Sequence, residues 1–318
     1  MTNGGTVCGV EAVRADGSPL AINAARGTVL ATGGFQANPE MRRRFQADAR
    51  ADTPYLGIDT CRGDGHAMAQ AAGADMINMT ILAPLVLVAS ALLEDCIAVD
   101  IHGHRFHDET GVYQDRVRAL RSVDGEIAYY IFDDVTFGRK RDFVSQLPSA
   151  AVQADSIEAL ARTIGIAPEA LAESVQRWNE FLASGAQEDP LTGRVSFPRG
   201  GHGILQPPFY AARMVEGSDF SAGGVATTLS MQAVDVYGEP IDRLFAVGDT
   251  AGGFVPSRNL GGIHIGGALT LGRVAGKAAA TGELLPSHRT RLFGHHLPGN
   301  VHTRLALVDL DTRQDTDE

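Results

Sequence analysis

Two short apolar runs, each followed at once by glycine, stand out in the hydrophobic pattern of the chain. Residues 27–35 read Gly-Thr-Val-Leu-Ala-Thr-Gly-Gly-Phe, and residues 244–249 read Leu-Phe-Ala-Val-Gly-Asp. Short apolar runs bounded by turn residues are typical of strands buried in a sheet, and here each strand runs into a glycine turn where a ligand can approach the backbone. The pattern therefore predicts an α/β fold with two buried strands that end at a ligand crevice.

The remaining pattern predicts further strands and helices around these two runs. Strands are predicted at residues 7–13 and 20–25, and helices at residues 64–72, 168–182 and 268–280. Residues 81–93 are almost wholly apolar but too few to span a membrane, so they are predicted to be core or pocket lining. The polar residues 184–199 predict a surface loop.

Composition narrows the class of protein. Acidic residues outnumber basic ones 38 to 27, which gives a net charge of −11 and argues against a nucleic-acid or anionic-membrane partner. No run is long and apolar enough for a membrane span, and residues 1–5 lack the features of a secretory signal. The three cysteines, Cys8, Cys61 and Cys96, are far apart and form no CxxC pair, so a reducing cytoplasm is expected.

The candidate chemistry is concentrated in residues 244–276, where a strand, an acidic residue, a glycine-rich loop and a helix follow each other. A helix N-terminus near Gly266 would present backbone N–H groups, and Asp249 at the strand end could accept hydrogen bonds from a sugar or ribityl hydroxyl. The alternative is a glycine-rich turn that packs tightly on a sheet. His102, His104 and His107 lack a carboxylate or cysteine at ligand spacing, so no metal site is predicted.

Residues 244–276 resemble the C-terminal flavin motif of the flavoproteins that include soluble fumarate reductases and 3-ketosteroid dehydrogenases. Further segments match the family in the same order along the chain: residues 29–35, 63–74, 103–109 (with a G-x-R-F-x-x-E pattern), 208–211 and 223–224. Together the matching segments cover residues 5–282. The resemblance implies FAD as cofactor. It places FAD contacts at Gly33, Gly34, Asp64 and Asp249, and at backbone N–H groups near Gly262, His264 and Ile265.

The chain departs from this family at the dinucleotide-binding turn. The family begins with a strand and a G-x-G-x-x-G turn that holds the FAD pyrophosphate. The nearest match here, Gly63-Asp64-Gly65, has Met68 in place of the third glycine and no strand before it. We therefore expect the chain to start inside the FAD domain, with the missing segment either truncated or supplied by a partner chain.

A second departure concerns the substrate. The proton-donating arginine of the fumarate reductases corresponds to Tyr113, and their dicarboxylate-binding arginine corresponds to Asn259, with Arg258 beside it. Fumarate and succinate are therefore disfavoured, because two buried carboxylates need several fixed cations. A tyrosine at position 113 resembles the ketosteroid dehydrogenases and implies a role in proton removal. By the same resemblance, Gly262 N–H and Arg258 would polarise a substrate carbonyl. The alternative for Tyr113 is that it is an ordinary tyrosine on a pocket wall.

These observations predict an α/β protein with a partial Rossmann-like FAD domain and an inserted α+β cap. The FAD domain is expected at residues 1–75 and 208–283, the cap at 76–207 and a tail at 284–318, with the active site between the first two. The expected function is FAD-dependent oxidation or reduction of a CH–CH bond next to a carbonyl in an apolar small molecule, either 3-ketosteroid dehydrogenase-like or enoate reductase-like. The alternative is a non-catalytic remnant, or one subunit of a split flavoenzyme, that binds an apolar ligand or a partner without flavin.

Overall fold

A computed structural model describes residues 1–45, 52–55, 57–80, 82–88, 90–198, 200–253 and 262–285. Its strands are β1 Thr2–Asn3, β2 Thr6–Val7, β3 Gly9–Val13, β4 Pro19–Asn23, β5 Thr28–Leu30, β6 Met76–Ile77, β7 Leu82–Val86, β8 Ile97–Asp100, β9 Ala128–Asp133, β10 Val152–Ala154, β11 Phe209–Arg213, β12 Glu216–Ser221, β13 Gly224–Val225, β14 Gln232–Val234 and β15 Pro240–Ala246. Its α-helices are α1 Pro39–Phe45, α2 Asp64–Ala71, α3 Ser90–Leu93, α4 Tyr113–Ser122, α5 Asp134–Arg139, α6 Arg141–Val144, α7 Ile157–Ile164, α8 Pro168–Ser184 and α9 Ile263–Thr281.

The two apolar runs form neighbouring strands of one sheet. β5 pairs with β15 in parallel, with Leu244 opposite Thr28 and Ala246 opposite Leu30, and β14 adds to the other side of β15. The apolar side chains of this sheet form a buried cluster with Ala69 of α2. Because parallel strands run in the same direction, the glycine turns that follow β5 and β15 come to the same edge of the sheet.

A second sheet has the order β10-β11-β9-β8, with all neighbours antiparallel. Helices α7 and α8 cover one face of it, where Leu160, Leu171 and Trp178 are buried. Another buried cluster includes Val86, Leu92 and Leu93, so these members of the apolar segment 81–93 are core. β11 brings residues 209–213 into this sheet, beyond the predicted boundary at residue 207, and the domain boundaries stay a prediction.

Short ribbons connect the two sheets. β12 pairs with β7, and β13 with β6, both antiparallel. The strands predicted at residues 7–13 and 20–25 correspond to β3 and β4, which form a hairpin, with Gly17 in its turn at φ 83° and Ser18 N donating to Asp16 Oδ1 at 2.9 Å. In the described part of the chain, no helix is long and apolar enough to cross a membrane.

Two predicted boundaries differ from the structure. The last helix begins at Ile263, five residues before the predicted start, because Gly262 takes up a left-handed conformation that admits the chain into the helix there. The predicted surface loop at residues 184–199 is wrong in part, since Asp189 and Arg194 are buried. Of the predicted tail, 284–318, only residues 284 and 285 lie within the described residues.

Candidate active site

Two threonines hold the ends of β5 and β15 together. Thr250, which is fully buried, accepts a hydrogen bond from Thr32 N at 2.9 Å and donates to Gly33 O at 3.0 Å through its hydroxyl. Thr32 Oγ1 in turn accepts from Gly65 N at 3.1 Å. The turn after β5, the turn after β15 and the first turn of α2 therefore form one junction, to which the predicted contacts Gly33, Gly34, Asp64 and Asp249 all belong by position.

Some glycines of this junction are needed for packing. A Cβ on Gly65 would lie 2.3 Å from Thr32 Oγ1, and one on Gly224 would lie 2.4 Å from the Thr250 carbonyl oxygen. A backbone oxygen cannot move aside cheaply, so Gly224 must lack a side chain for the two segments to meet. Tight packing therefore accounts for glycine at these two positions.

Gly262 at the head of α9 has a different environment. Its φ is 78°, which favours glycine, and a Cβ there would meet nothing within 4 Å among the described residues. Among the described residues no side chain caps α9 at this end, and the helix packs against the turn Gly248–Thr250 that follows β15. Helices leave backbone N–H groups at this end without an acceptor inside the helix, so α9 brings hydrogen-bond donors to the junction.

The side chains of Asp249 and His264 pair directly. His264 Nδ1 donates to Asp249 Oδ1 at 2.7 Å, and both side chains are partly buried. The Phe220 ring, on β12, lies 3.8 Å from the His264 ring, centroid to centroid. The resemblance had assigned only the backbone of His264, and the side-chain pair was not predicted. One carboxylate oxygen of Asp249 is thus fixed by His264, which orients the carboxylate.

The other predicted residues lie in different places. Ile265 is on the first turn of α9 with a 70% exposed side chain, and Asp64 is the exposed first residue of α2. Arg258 and Asn259 lie outside the described residues. Tyr113 is the half-buried first residue of α4, and the Arg116 guanidinium carbon lies 4.6 Å from its ring centroid. α4 packs on β7, which pairs with the β12 strand that carries Phe220.

The G-x-R-F-x-x-E segment is anchored by a buried cluster of four charges. Arg105 pairs with both oxygens of Glu109 and, at 2.7 Å, with Asp189; Arg194 pairs with Glu109 at 2.8 Å. Both guanidinium carbons lie 4.7 Å from the centroid of the Trp178 ring. Burial raises the pKa of Glu109, but the two guanidiniums outweigh it, so that this pKa lies below its ordinary value.

Sequence reasoning missed Asp189 and Arg194, since a polar stretch reads as solvated unless its partners are known. Arg194 also donates to backbone carbonyls of residues 93, 94, 96 and 196. Glu109 accepts from Ala98 N at 2.9 Å, which ties the cluster to β8. Because Glu109 is four residues before Tyr113, this cluster fixes the segment that leads into α4.

Comparison with known proteins identifies the cofactor. Residues 1–265 match the family described as the FAD binding domain. The chain belongs to this FAD-binding family. FAD is therefore its cofactor, and the resemblance seen in residues 244–276 is confirmed. The family's named relatives are oxidoreductases, so this is an enzyme family.

The relatives are longer than this chain. It is 31% identical over 270 residues to a probable fumarate reductase of Shewanella frigidimarina, which covers 80% of this chain and 44% of that protein. It is 30% identical over 303 residues to a 3-oxosteroid 1-dehydrogenase of Mycobacterium tuberculosis, covering 81% of this chain and 53% of that protein. The structure is similar to the open conformation of a flavocytochrome c3 fumarate reductase, with a TM-score of 0.67, 28% identity, and coverage of 87% of this chain and 50% of that one. The chain thus spans about half the length of these relatives.

The donor and acceptor groups of the junction fit FAD. The pyrimidine edge of a flavin carries hydrogen-bond acceptors, which match the backbone donors at the head of α9, where Gly262 leaves the backbone bare. The ribityl chain carries hydroxyl donors, which match the oriented carboxylate of Asp249.

Proposed function

We propose that this chain forms the flavin-edge half and the substrate-binding cap of an FAD-dependent oxidoreductase that acts on a CH–CH bond next to a carbonyl. The observation that carries the proposal is the junction itself. The turns after β5 and β15, the head of α9 and the Asp249–His264 pair meet at one edge of a parallel sheet, in a chain of the FAD-binding family.

Each residue of the proposed site has a defined task. FAD, when bound, supplies hydride transfer to or from the substrate carbon. Gly33, Gly34, Asp64, Asp249, His264 and Ile265 contact the cofactor. Gly262 N–H and Arg258, with Asn259 beside it, donate to the substrate carbonyl oxygen, which makes the neighbouring C–H more acidic. Tyr113 holds or moves the proton of that carbon.

The substrate is proposed to be an apolar molecule with a carbonyl, such as a 3-ketosteroid or an enoate. Tyr113, rather than a cation, stands at the position that an arginine occupies in the fumarate reductases, by the resemblance of residues 103–113. A site with few fixed cations disfavours a dicarboxylate, because each buried carboxylate needs a charged hydrogen-bond partner.

The proposed function is tested first by colour and then by turnover. Purified protein is titrated with FAD and its absorbance is followed across the flavin bands. The FAD-loaded protein is then mixed without oxygen with androst-4-ene-3,17-dione or, after reduction, with an enoate. Bleaching of the flavin band with the ketosteroid, or its recovery with the enoate, supports the proposal. Failure to bind FAD at any concentration would instead support the non-catalytic alternative.

A matched pair of aspartates tests the cofactor contact. Asp249→Ala is expected to weaken FAD binding about 10- to 100-fold, because a hydrogen bond to a charged group contributes about 1.5–3 kcal/mol. Asp242→Ala on β15, whose exposed carboxylate bonds to Thr6, serves as the control. FAD dissociation constants are measured by titration of flavin fluorescence. Equal FAD dissociation constants for the two variants would mean that Asp249 does not contact the cofactor.

We also propose that a β-strand and helix carrying the glycine-rich pyrophosphate turn pack on this chain from a partner. Among the described strands, none pairs with the outer edge of β5, where Val29 is 38% exposed. On α9, Ile265 and Leu269 lie four residues apart on one face of the helix and are 70% and 72% exposed, which offers an apolar surface to a partner. Co-expression with a neighbouring reading frame that encodes a G-x-G-x-x-G segment tests this. A co-purified complex that binds FAD more tightly than this chain alone is expected, and equal affinity would contradict the partner.

A further inference from the structure

Arg116 is a buried cation without a carboxylate partner within ion-pair distance among the described residues. Its side chain is 4% exposed, and its Nε and Nη2 donate to the carbonyl oxygen of Gly111 at 3.1 and 2.9 Å. Its Nη1 has no hydrogen-bond partner within the described part of the chain. Burial of such a charge is unfavourable and lowers the pKa of this guanidinium, so its presence in the fold calls for an explanation beyond packing.

The neighbours of Arg116 in the described part of the chain do not form an ion pair with it. The phenol of Tyr130 and the thiol of Cys96 are fully buried, and burial raises the pKa of both, so both are neutral at physiological pH. Of the carboxylates on the preceding segment, Glu109 is held by Arg105 and Arg194. Asp108 favours the charge of Arg116 from a distance, but its Oδ1 accepts hydrogen bonds from Thr110. Within the described part of the chain, the aromatic ring that the Arg116 guanidinium contacts is that of Tyr113.

The geometry of Arg116 is suited to holding that ring. Its guanidinium is fixed by two hydrogen bonds, from Nε and Nη2, that converge on the carbonyl oxygen of Gly111, two residues before Tyr113. Its central carbon lies 4.6 Å from the Tyr113 ring centroid. Arg116 follows Tyr113 by three residues on α4, so the two side chains lie on the same face of the helix. A planar guanidinium stacks on an aromatic ring as an ammonium group cannot.

We propose that Arg116 is a positioning residue that holds the Tyr113 ring in its reactive orientation and stabilises the negative charge that develops on the phenol oxygen as its proton moves. This rests on the proposed function of Tyr113. Arg116 lies one turn further along α4 than position 113, at which the fumarate reductases carry their arginine. The motif spacing therefore does not point to Arg116.

The test is a double-mutant cycle on the FAD-loaded protein with androst-4-ene-3,17-dione as substrate. Arg116→Met is expected to lower kcat about 10²-fold, since a small misplacement of a reacting group has an effect of that order, while KM and the FAD dissociation constant stay unchanged. Arg116→Lys, which keeps the charge but not the planar fork, is expected to recover only part of the rate. Arg118→Met, on the exposed side of α4 and paired with Asp115, is the control and should leave kcat unchanged.

The decisive comparison is made in a Tyr113→Phe background. There, Arg116→Met is expected to have no further effect on kcat, because the group it serves is gone. An equal loss of kcat in both backgrounds overturns the positioning role but leaves the proposed function intact. A Tyr113→Phe variant with normal kcat overturns both. If Arg116→Met is too unstable to assay, as thermal unfolding will reveal, the same cycle is run with Arg116→Lys.

Discussion

Tyr113→Phe is expected to lower kcat about 10²- to 10⁴-fold, which is the range that a positioned acid or base contributes. The substitution removes one hydroxyl and keeps the ring that stacks with Arg116, so the packing at the head of α4 is preserved. KM and FAD affinity should change little, because the role proposed for the hydroxyl is in proton transfer during the reaction rather than in binding. Steady-state kinetics with a 3-ketosteroid and a dye acceptor measure the effect.

The control for this prediction is Tyr237→Phe, which removes the hydroxyl from a tyrosine that is 85% exposed on the turn between β14 and β15. Its kcat should equal that of the unmodified protein. If Tyr113→Phe behaves in the same way, Tyr113 is a pocket-wall residue, and another group must handle the proton.

Arg194→Met is expected to lower the free energy of unfolding by about 3–5 kcal/mol, because it leaves the fully buried Glu109 with a weakened set of charged partners. The substitution also removes the guanidinium hydrogen bonds to four backbone carbonyls. Methionine has a similar length and can pack against Trp178, so lost volume makes only a small contribution. Urea unfolding followed by the fluorescence of Trp178, the only tryptophan, measures the change.

Arg177→Met on α8 is the matched control for the charge cluster. Arg177 is 69% exposed and pairs with Glu173 one turn earlier, an arrangement that contributes about 0.3–0.5 kcal/mol. A loss at Arg194 no larger than the loss at Arg177 would mean that the buried cluster is not a stabilising anchor of the segment before Tyr113.

Local patterns in the sequence predicted the two parallel strands of the sheet that contains β5 and β15. An apolar run that ends in glycine predicted both β5 and β15, and the order of motifs from residue 29 to residue 276 predicted the family and its cofactor. Such features depend on neighbouring residues, because side-chain period, turn conformation and helix ends are set within a few positions of the chain. For the same reason, the two strands that pair as β3 and β4 were predicted to within two residues of their ends.

Polar contacts between distant segments could not be predicted in this way. Arg194 meets Glu109 from 85 residues away, and Asp189 meets Arg105 from 84, yet their segment has the composition of a solvated loop. The pairing of His264 with Asp249 depends on the angle at which α9 meets the turn after β15. The contact of Arg116 with Tyr113 needs only helical spacing, but its burial depends on β9 and on the core beneath α4.

From the order of residues alone it follows that two buried strands end in glycine turns and that the chain carries the flavin-edge motifs of an FAD-binding family. The packing of distant segments is needed to tell which charges are buried and paired, and that Arg116 contacts the ring of Tyr113. The physical reason is that a charged side chain has the same local signature in water and in a buried pair, and only the packing of remote segments removes it from water and supplies its partner.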